Sequence, residues 1–389
     1  MKHTLNEWIA TTRYWSFSVS ALPVVATTAY LCATREVSGN DLFCALLAVV
    51  GVVLFHAAGN LLSDVGDFRS GADSREAFAI PNLVEHIFEP KEYLRLSAVL
   101  FVLGIALGLV LTWMCGWQLL IIGGLGFVLT LLYTKSKNCW LSDLNVFVIF
   151  GVLIVLGTSF VVTRQICLDS LLLSVPLGFI TLSVLHANNT VDIETDGAAG
   201  LHTLAMAMGL ERAAKVYITY QIIPFVWVLA CVVFGYMPWP ALLCLVSAVV
   251  AWGNIRQAAK AFKRDERSGS DTPQPDGHPS KEGIRGREAM MGLDLRSAKL
   301  QLLFSLTLAV GLIIAALLKE LFHASFPPYC PPANTHRGGG RAVVLYVLAM
   351  DGRADELLVY HDGVGTDTHL YGMLDGGFKN PYSGGLTRG

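Results

Sequence analysis

The chain has 389 residues, of which 53% are apolar and only 15% charged, well under the roughly one-quarter charged content of soluble domains. An ordinary soluble globule and a disordered chain are both excluded. The 28 basic and 30 acidic residues cancel to a net charge of −2, so the basic field that nucleic-acid binding needs is missing. Eight cysteines, none in a CxxC pair and most inside apolar runs, imply neither a disulfide framework nor a zinc site.

A helix needs about 20 apolar residues to cross a hydrocarbon core. Windows of that kind recur nine times, at about 15–34, 41–61, 94–114, 117–134, 144–163, 168–188, 216–236, 239–255 and 300–320. The fold class expected is an all-α polytopic membrane protein, a bundle of about nine helices around a central cavity. Ser16, Ser18, Ser20 and Pro23 interrupt the first window, and Leu31 precedes Cys32 where a lipid-attachment site needs a small residue. The window therefore reads as a retained helix and not a cleaved signal.

Lysines and arginines fall on alternate connections. Lys2, Arg13, Arg69, Arg75, Lys91, Lys135, Lys137, Arg212, Lys215 and a group from Arg256 to Lys299 share one side, against Arg35 and Arg164 on the other. The positive-inside rule puts the first set in the cytoplasm, and an odd number of spans sends the C-terminus across the cell (inner) membrane. Residues 1–262 then form a core of eight spans. Residues 263–297 are rich in charge, Gly, Pro and Ser, so 263–299 reads as a flexible polar cytoplasmic loop before a ninth span at 300–322. In the tail, 323–389, the one apolar run, Ala342 to Met350, is too short to span, and no role follows from it.

Ionisable residues at the ends of spans are costly unless paired or used. Two acidic clusters stand at such ends on the cytoplasmic side. The second span runs into Asn60, Asp64, Asp67, Arg69, Gly71 and Asp73, and the sixth into Asn188, Asn189, Asp192, Glu194 and Asp196. On a helix, Asn60, Asp64 and Asp67 share a face, and so do Asn188, Asp192 and Asp196, each trio forming a row of oxygen ligands. Carboxylates facing one another repel unless cations lie between them, and oxygen ligands suit a hard divalent ion. Mg2+ is the expected ion, with Asn60, Asp64, Asp67, Asp192 and Asp196 as its ligands. Because magnesium shares its shell with phosphate oxygens, the pair of rows at a membrane surface suggests a lipid diphosphate. His56 and His186 each precede a row, where a lone histidine is more often hydrogen-bonded packing than a ligand.

At these residues the sequence resembles the UbiA superfamily of intramembrane prenyltransferases, within it the branch acting on 1,4-dihydroxy-2-naphthoate. NLLSDVGDFRSGAD at 60–73 is similar to that branch's Asn-x-x-Asn-Asp-x-x-Asp-x-x-x-Gly-x-Asp motif. NNTVDIETDGAAGLHTLA at 188–205 is similar to its Asn-Asn-x-Arg-Asp-x-x-x-Asp-x-x-x-Gly-Lys-x-Thr-Leu-Ala motif. Weaker echoes are Trp8 to Pro23 and the stretch from Tyr133 and Lys135 to Asp143. Ser63, Val191 and Leu201 depart from the pattern, standing where the branch has Asn, Arg and Lys. The resemblance implies that Asp64, Asp67, Asp192 and Asp196 clamp metal on a polyprenyl diphosphate. Asn60, Asn188, Asn189 and Tyr133 would contact substrate, Arg69 and Lys135 would replace the missing cations, and Asp73 and Glu194 would orient an aromatic small-molecule substrate or take its proton. The implied reaction gives a demethylmenaquinone. Acceptors such as 4-hydroxybenzoate or homogentisate stay open, as do two other classes: a cation-coupled transporter, which would carry acidic residues near mid-span, and a non-catalytic lipid-binding member of the family.

Overall fold

The computed structural model describes residues 3–71, 82–136, 141–262 and 281–323, apart from the side chains of 134–136, 281–285 and 322–323, together with the backbone of four strands between 341 and 378. Two compact units divide the chain, 1–325 and 326–389.

The first unit is a helical bundle. Among the described residues, eight helices are long and apolar enough to cross a bilayer: Tyr14–Thr34, Gly39–Ser70, Pro90–Cys115, Ser142–Thr163, Leu168–Val191, Leu210–Val233, Trp239–Phe262 and one through Leu293–His323. A further helix, Gln118–Ser136, has a shorter apolar stretch, Gln118–Tyr133. Counted in chain order with Gln118–Ser136 as the fourth, these are nine segments among the described residues, one for each hydropathy window. The protein is a multi-pass membrane protein. Its outward face is apolar, with Val99, Val102, Val246 and Val249 exposed where lipid would lie. Ahead of the first span, Leu5–Thr11 is a short helix started by a Thr4–Glu7 capping box.

Packing follows from what the sequence supplies at the crossings. The largest apolar cluster joins Tyr30 and Leu31 of the first span, Leu173, Leu177 and Ile180 of the sixth, and Phe304 and Leu308 of the ninth. The fifth span carries a π-helical turn at Phe147–Leu153, a rare irregularity that re-aims side chains. It lies against the sixth span through Gly151 and Gly178. A Cβ on Gly151 would stand 2.9 Å from the Ser174 carbonyl oxygen, and one on Gly178 would stand 2.6 Å from the Phe147 ring. Only glycine allows this approach, which turns Ile149, Phe150 and Leu153 toward the interior cavity.

The structure departs from two sequence expectations between the eighth and ninth spans. The loop expected over 263–299 contains a helix, Lys281–Met290, and the ninth helix starts at Leu293, not 300. Its apolar residues explain the difference. Met290 and Leu293 are fully buried against Ala187 and Val191 of the sixth span, Ala214 and Tyr217 of the seventh and Ala258 of the eighth. Two buried apolar side chains, each contributing about 1.5–3 kcal/mol, hold the segment although its average composition is polar. Residues 263–280 lie outside the described residues. In the second unit an antiparallel sheet of order β1-β2-β3-β4 forms: Arg341–Leu348, Ala354–His361, Thr368–Leu374 and Gly377–Phe378. Arg341 pairs with His361 and Leu357 with Gly372. The apolar run from Ala342 is thus mostly strand, with the period of two that a search for helical spans passes over.

Candidate active site

The second span ends at Ser70, where Gly71 takes a positive φ of 78° and its N–H caps the Asp67 carbonyl. This places Asp64 and Asp67 in the last two turns, at the negative end of the helix dipole, where a carboxylate is unfavourable without a cation. For Asp64 the cation is Arg13, whose Nη2 is 2.5 Å from Asp64 Oδ1. Arg13 holds a left-handed conformation, φ 57°, between the N-terminal helix and the first span. Such a residue costs of order 1–3 kcal/mol unless its surroundings compensate. Asn60, one turn earlier, donates from Nδ2 to the Thr12 carbonyl at 3.1 Å and to Ser16 Oγ at 3.2 Å. The first acidic segment is thereby tied to the chain entering the first span.

The sixth span ends at Val191, and Asp192 occupies the bridge region at φ −93°, ψ 12°. The helical register nevertheless carries on. The Asp192 N–H donates to the Asn188 carbonyl and the Asp196 N–H to the Asp192 carbonyl, so Asn188, Asp192 and Asp196 stay in one row despite the break. Above this row His186 is fully buried, with Nδ1 3.2 Å from Asp143 Oδ2 and Nε2 3.1 Å from the Ala213 carbonyl oxygen.

Both rows border one cavity of about 750 Å³. Asn60, Ser63 and Asp67 line it from the second span, Tyr133 from the fourth, and Asn188, Asn189, Asp192 and Asp196 from the sixth and the short helix that follows. The rest of the wall is mostly apolar and rich in glycine and aromatic rings, including Phe55, Gly104, Gly108, Gly123, Phe127 and Phe150, with His56 and the serines of the first span as polar interruptions. An end of oxygen donors thus opens into an apolar chamber.

Not every expected residue reaches this cavity. Asp64 is buried in its pair with Arg13, and the row facing the cavity is Asn60, Ser63, Asp67. Arg69 is exposed on the helix end and is not among the lining residues. Glu194 is turned outward, 3.5 Å from Arg287 of the helix Lys281–Met290. Asp73 and the side chain of Lys135 lie outside the described residues. Three lining residues had no sequence signal pointing to them. Arg13 read as a membrane-flanking charge, Ser16 as a break in an apolar window, and Asp294, in the first turn of the ninth helix, as part of a polar loop.

Among the described residues no three His, Cys, Asp or Glu side chains converge closely enough to hold a metal ion by themselves. The donor set still suits a hard cation, because every acidic or amide side chain at this end offers oxygen. The buried Asn189 Nδ2 has no hydrogen-bond partner and borders the same space, a donor suited to an anionic oxygen. Magnesium keeps few protein ligands and completes its shell with water and phosphate, which suits a site where no three acidic side chains among the described residues converge.

The UbiA prenyltransferase family model matches residues 21–271, well over half of the chain. The chain belongs to the UbiA prenyltransferase family. UbiA prenyltransferase domain-containing protein 1 of Xenopus tropicalis is 33% identical over 232 residues, 58% of this chain and 66% of that protein. Its mouse counterpart is 31% identical over 58% of this chain and 68% of its own length. A 1,4-dihydroxy-2-naphthoate octaprenyltransferase of Bacillus subtilis (strain 168) is 28% identical over 66% of this chain and 81% of its length. The chain spans about two thirds of the length of these two vertebrate relatives. Among solved structures, the apo form of a UbiA homolog from Aeropyrum pernix K1 superposes with a TM-score of 0.53 at 16% identity, covering 76% of this chain and 97% of that one, so the fold is shared. Within this family the departures at Val191 and Leu201 have a structural reading. Val191 packs in the cluster around Met290 and Leu201 is 5% exposed, so both positions are built into the core and neither is a vacant cation site.

Proposed function

We propose that this UbiA-family protein transfers a polyprenyl group from a polyprenyl diphosphate to an aromatic acceptor inside the membrane, and that 1,4-dihydroxy-2-naphthoate is the acceptor. One observation carries the reading: both acidic rows border the polar end of a single, mostly apolar cavity. The diphosphate would lie at that end and the prenyl tail along the apolar wall.

Asp67, Asp192 and Asp196 would hold magnesium, with Asn60 contributing an oxygen and Asp64 setting the charge balance through Arg13. Bound there, the ion supplies neutralisation of the departing diphosphate. The chain's own residues do the rest. Asn188, Asn189 and Tyr133 would orient the phosphate oxygens, and the apolar wall keeps water from the allylic carbon while the C–O bond breaks. The electron pair of that bond leaves with the diphosphate. A ring carbon forms the new C–C bond, and the ring regains aromaticity by losing carbon dioxide where that carbon bore a carboxylate, or a proton where it did not. The naphthoate acceptor is favoured by the likeness of the 60–73 and 188–205 segments to the naphthoate branch, and by the Bacillus subtilis relative. The acidic end would face the cytoplasm, by the distribution of Lys and Arg.

The test supplies the purified protein with magnesium, a labelled polyprenyl diphosphate and a panel of aromatic acceptors, with product identified by mass. Prenylated naphthoquinol is the expected product. No transfer to any acceptor, from protein that is properly folded, would leave a lipid-binding member of the family as the surviving reading.

A further inference from the structure

The two histidines that precede the acidic rows look equivalent in sequence and differ in the structure. At His186 both ring nitrogens face acceptors within the packed bundle, and neither is left for a ligand. His56 is partly exposed on the cavity wall. Its Nδ1 lies 3.0 Å from Ser20 Oγ, and its Nε2 lies 3.5 Å from Ser16 Oγ.

The hydrogens at this corner can be counted. Ser16 donates its single hydroxyl hydrogen to the Arg13 carbonyl at 2.8 Å, and its oxygen accepts from Asn60 Nδ2 at 3.2 Å. It therefore has no hydrogen for His56. Ser20 donates to the Phe17 carbonyl at 3.2 Å, which makes its oxygen the acceptor for a hydrogen on Nδ1. With the hydrogen on Nδ1, neutral imidazole carries a lone pair at Nε2. The opposite tautomer would leave the Nε2 hydrogen with Ser16 at 3.5 Å as its partner, beyond normal hydrogen-bond length, and would strip the Phe17 carbonyl of its hydroxyl donor. The first arrangement makes two bonds of ordinary length and the second makes one.

We propose that His56 Nε2 is the acceptor-substrate contact of this cavity, taking a hydrogen bond from a hydroxyl group on the aromatic ring. This rests on the transferase reading above and names the chemistry of its second substrate. A prenyl tail has no hydrogen to donate, and a diphosphate oxygen would meet lone pair with lone pair. Of the molecules that reading places here, a hydroxyl-bearing ring is the one that supplies the missing donor. The surroundings suit a flat ring, since Phe150 stands edge-on to His56 at 5.2 Å and also lines the cavity. Depth fits as well. His56 precedes Asp64 and Asp67 by 8 and 11 residues on one continuous helix, about 12 and 16 Å along its axis, leaving room for a bound diphosphate with a ring beneath it. A hydrogen bond at the ring oxygen also raises electron density on the carbons ortho to it, the positions that attack an allylic carbon.

The test compares 1,4-dihydroxy-2-naphthoate with its two monomethyl ethers in the full-length protein, with magnesium and labelled polyprenyl diphosphate. The wild type should prefer the free hydroxyl over one of the two ethers by about tenfold or more in kcat/KM, the size expected when a buried acceptor loses its donor. His56→Phe should bring that ratio to within about threefold, raising KM for the acceptor while KM for the polyprenyl diphosphate stays unchanged. His56→Gln, which keeps an acceptor oxygen, should recover part of the preference, and Ser20→Ala, which releases Nδ1, should weaken it. Full discrimination by His56→Phe, or equal use of both ethers and the parent by the wild type, overturns the assignment while the transferase stands. Absence of both polyprenyl diphosphate binding and transfer in the wild type overturns the transferase reading, and this one with it.

Discussion

Asp143 at the start of the fifth span and His186 in the sixth meet 3.2 Å apart, the histidine fully buried and the carboxylate nearly so, with the Ala213 carbonyl of the seventh span closing the other side of the ring. Three spans are thereby pinned one half-turn before Asn188 and Asn189. Truncating His186 to Leu leaves a buried carboxylate without its partner, which costs about 3–5 kcal/mol. The expected result is a clear drop in the unfolding midpoint in detergent, with part of it recovered in Asp143→Leu/His186→Leu, where no charge is left behind. An unchanged midpoint in the single variant would show that the pair contributes nothing to stability.

The two rows border one cavity, so they should fail as one unit. Asp67→Asn and Asp192→Asn each keep side-chain shape and lose charge, and each should lower transfer by about a hundredfold or more. The double variant should be little worse than either, because groups acting together are non-additive. Asp64→Asn differs in kind: by removing the partner of Arg13 it should also lower stability by about 1–3 kcal/mol. Thermal unfolding of the three variants separates the two behaviours, and an Asp192→Asn enzyme of normal rate would make the second row structural.

Chelation offers an independent check on the ion. Carboxylates alone repel a diphosphate, so excess chelator should abolish transfer and added magnesium should restore it. Full turnover in chelator would remove the metal from the mechanism.

Val191 stands where the naphthoate branch has arginine, and restoring that cation would be the intuitive repair. The structure argues otherwise. Val191 is 7% exposed within the cluster of Met290 and Leu293, and a longer charged side chain there overpacks the core and buries charge. Val191→Arg should lower folded yield and raise no rate. A faster, stably folded variant would show that the packing yields more readily than its burial implies.

The polar stretch between the eighth and ninth spans divides by the same logic. Replacing 263–280 with a short Gly/Ser linker should leave transfer largely intact, since its composition offers no apolar surface to bury. Extending the replacement through 297 should abolish it, because Met290, Leu293 and the Glu194–Arg287 pair hold the second acidic segment. Met290→Ala alone should cost about 2–5 kcal/mol. Equal activity of the short and long replacements would count against any role for the packed half.

Membrane spans are read from sequence because the bilayer imposes a length and a polarity on every crossing, whatever its neighbours do. That is why nine hydropathy windows correspond to nine helical segments among the described residues, and why the acidic rows of Asn60 to Asp67 and Asn188 to Asp196 stand out at their ends. Helical periodicity predicts which residues share a face, and the register of the second row survives even the break at Asp192. It does not say what each face meets. Only the tertiary structure turned Asp64 to Arg13 and left Ser63 and Asp67 to the cavity, because the left-handed turn at Arg13 brings a residue 51 positions away against the second span. The distinction between His56 and His186 arose in the same way: identical side chains at similar places in their helices, one enclosed by Asp143 and Ala213, the other facing open space beside two serines whose hydrogens point elsewhere. Composition likewise misjudged 281–299, since an average over a charged stretch hides the two apolar residues that pack. Local sequence thus determined the spans and the chemistry of their ends, while long-range packing decided which of those groups face the cavity.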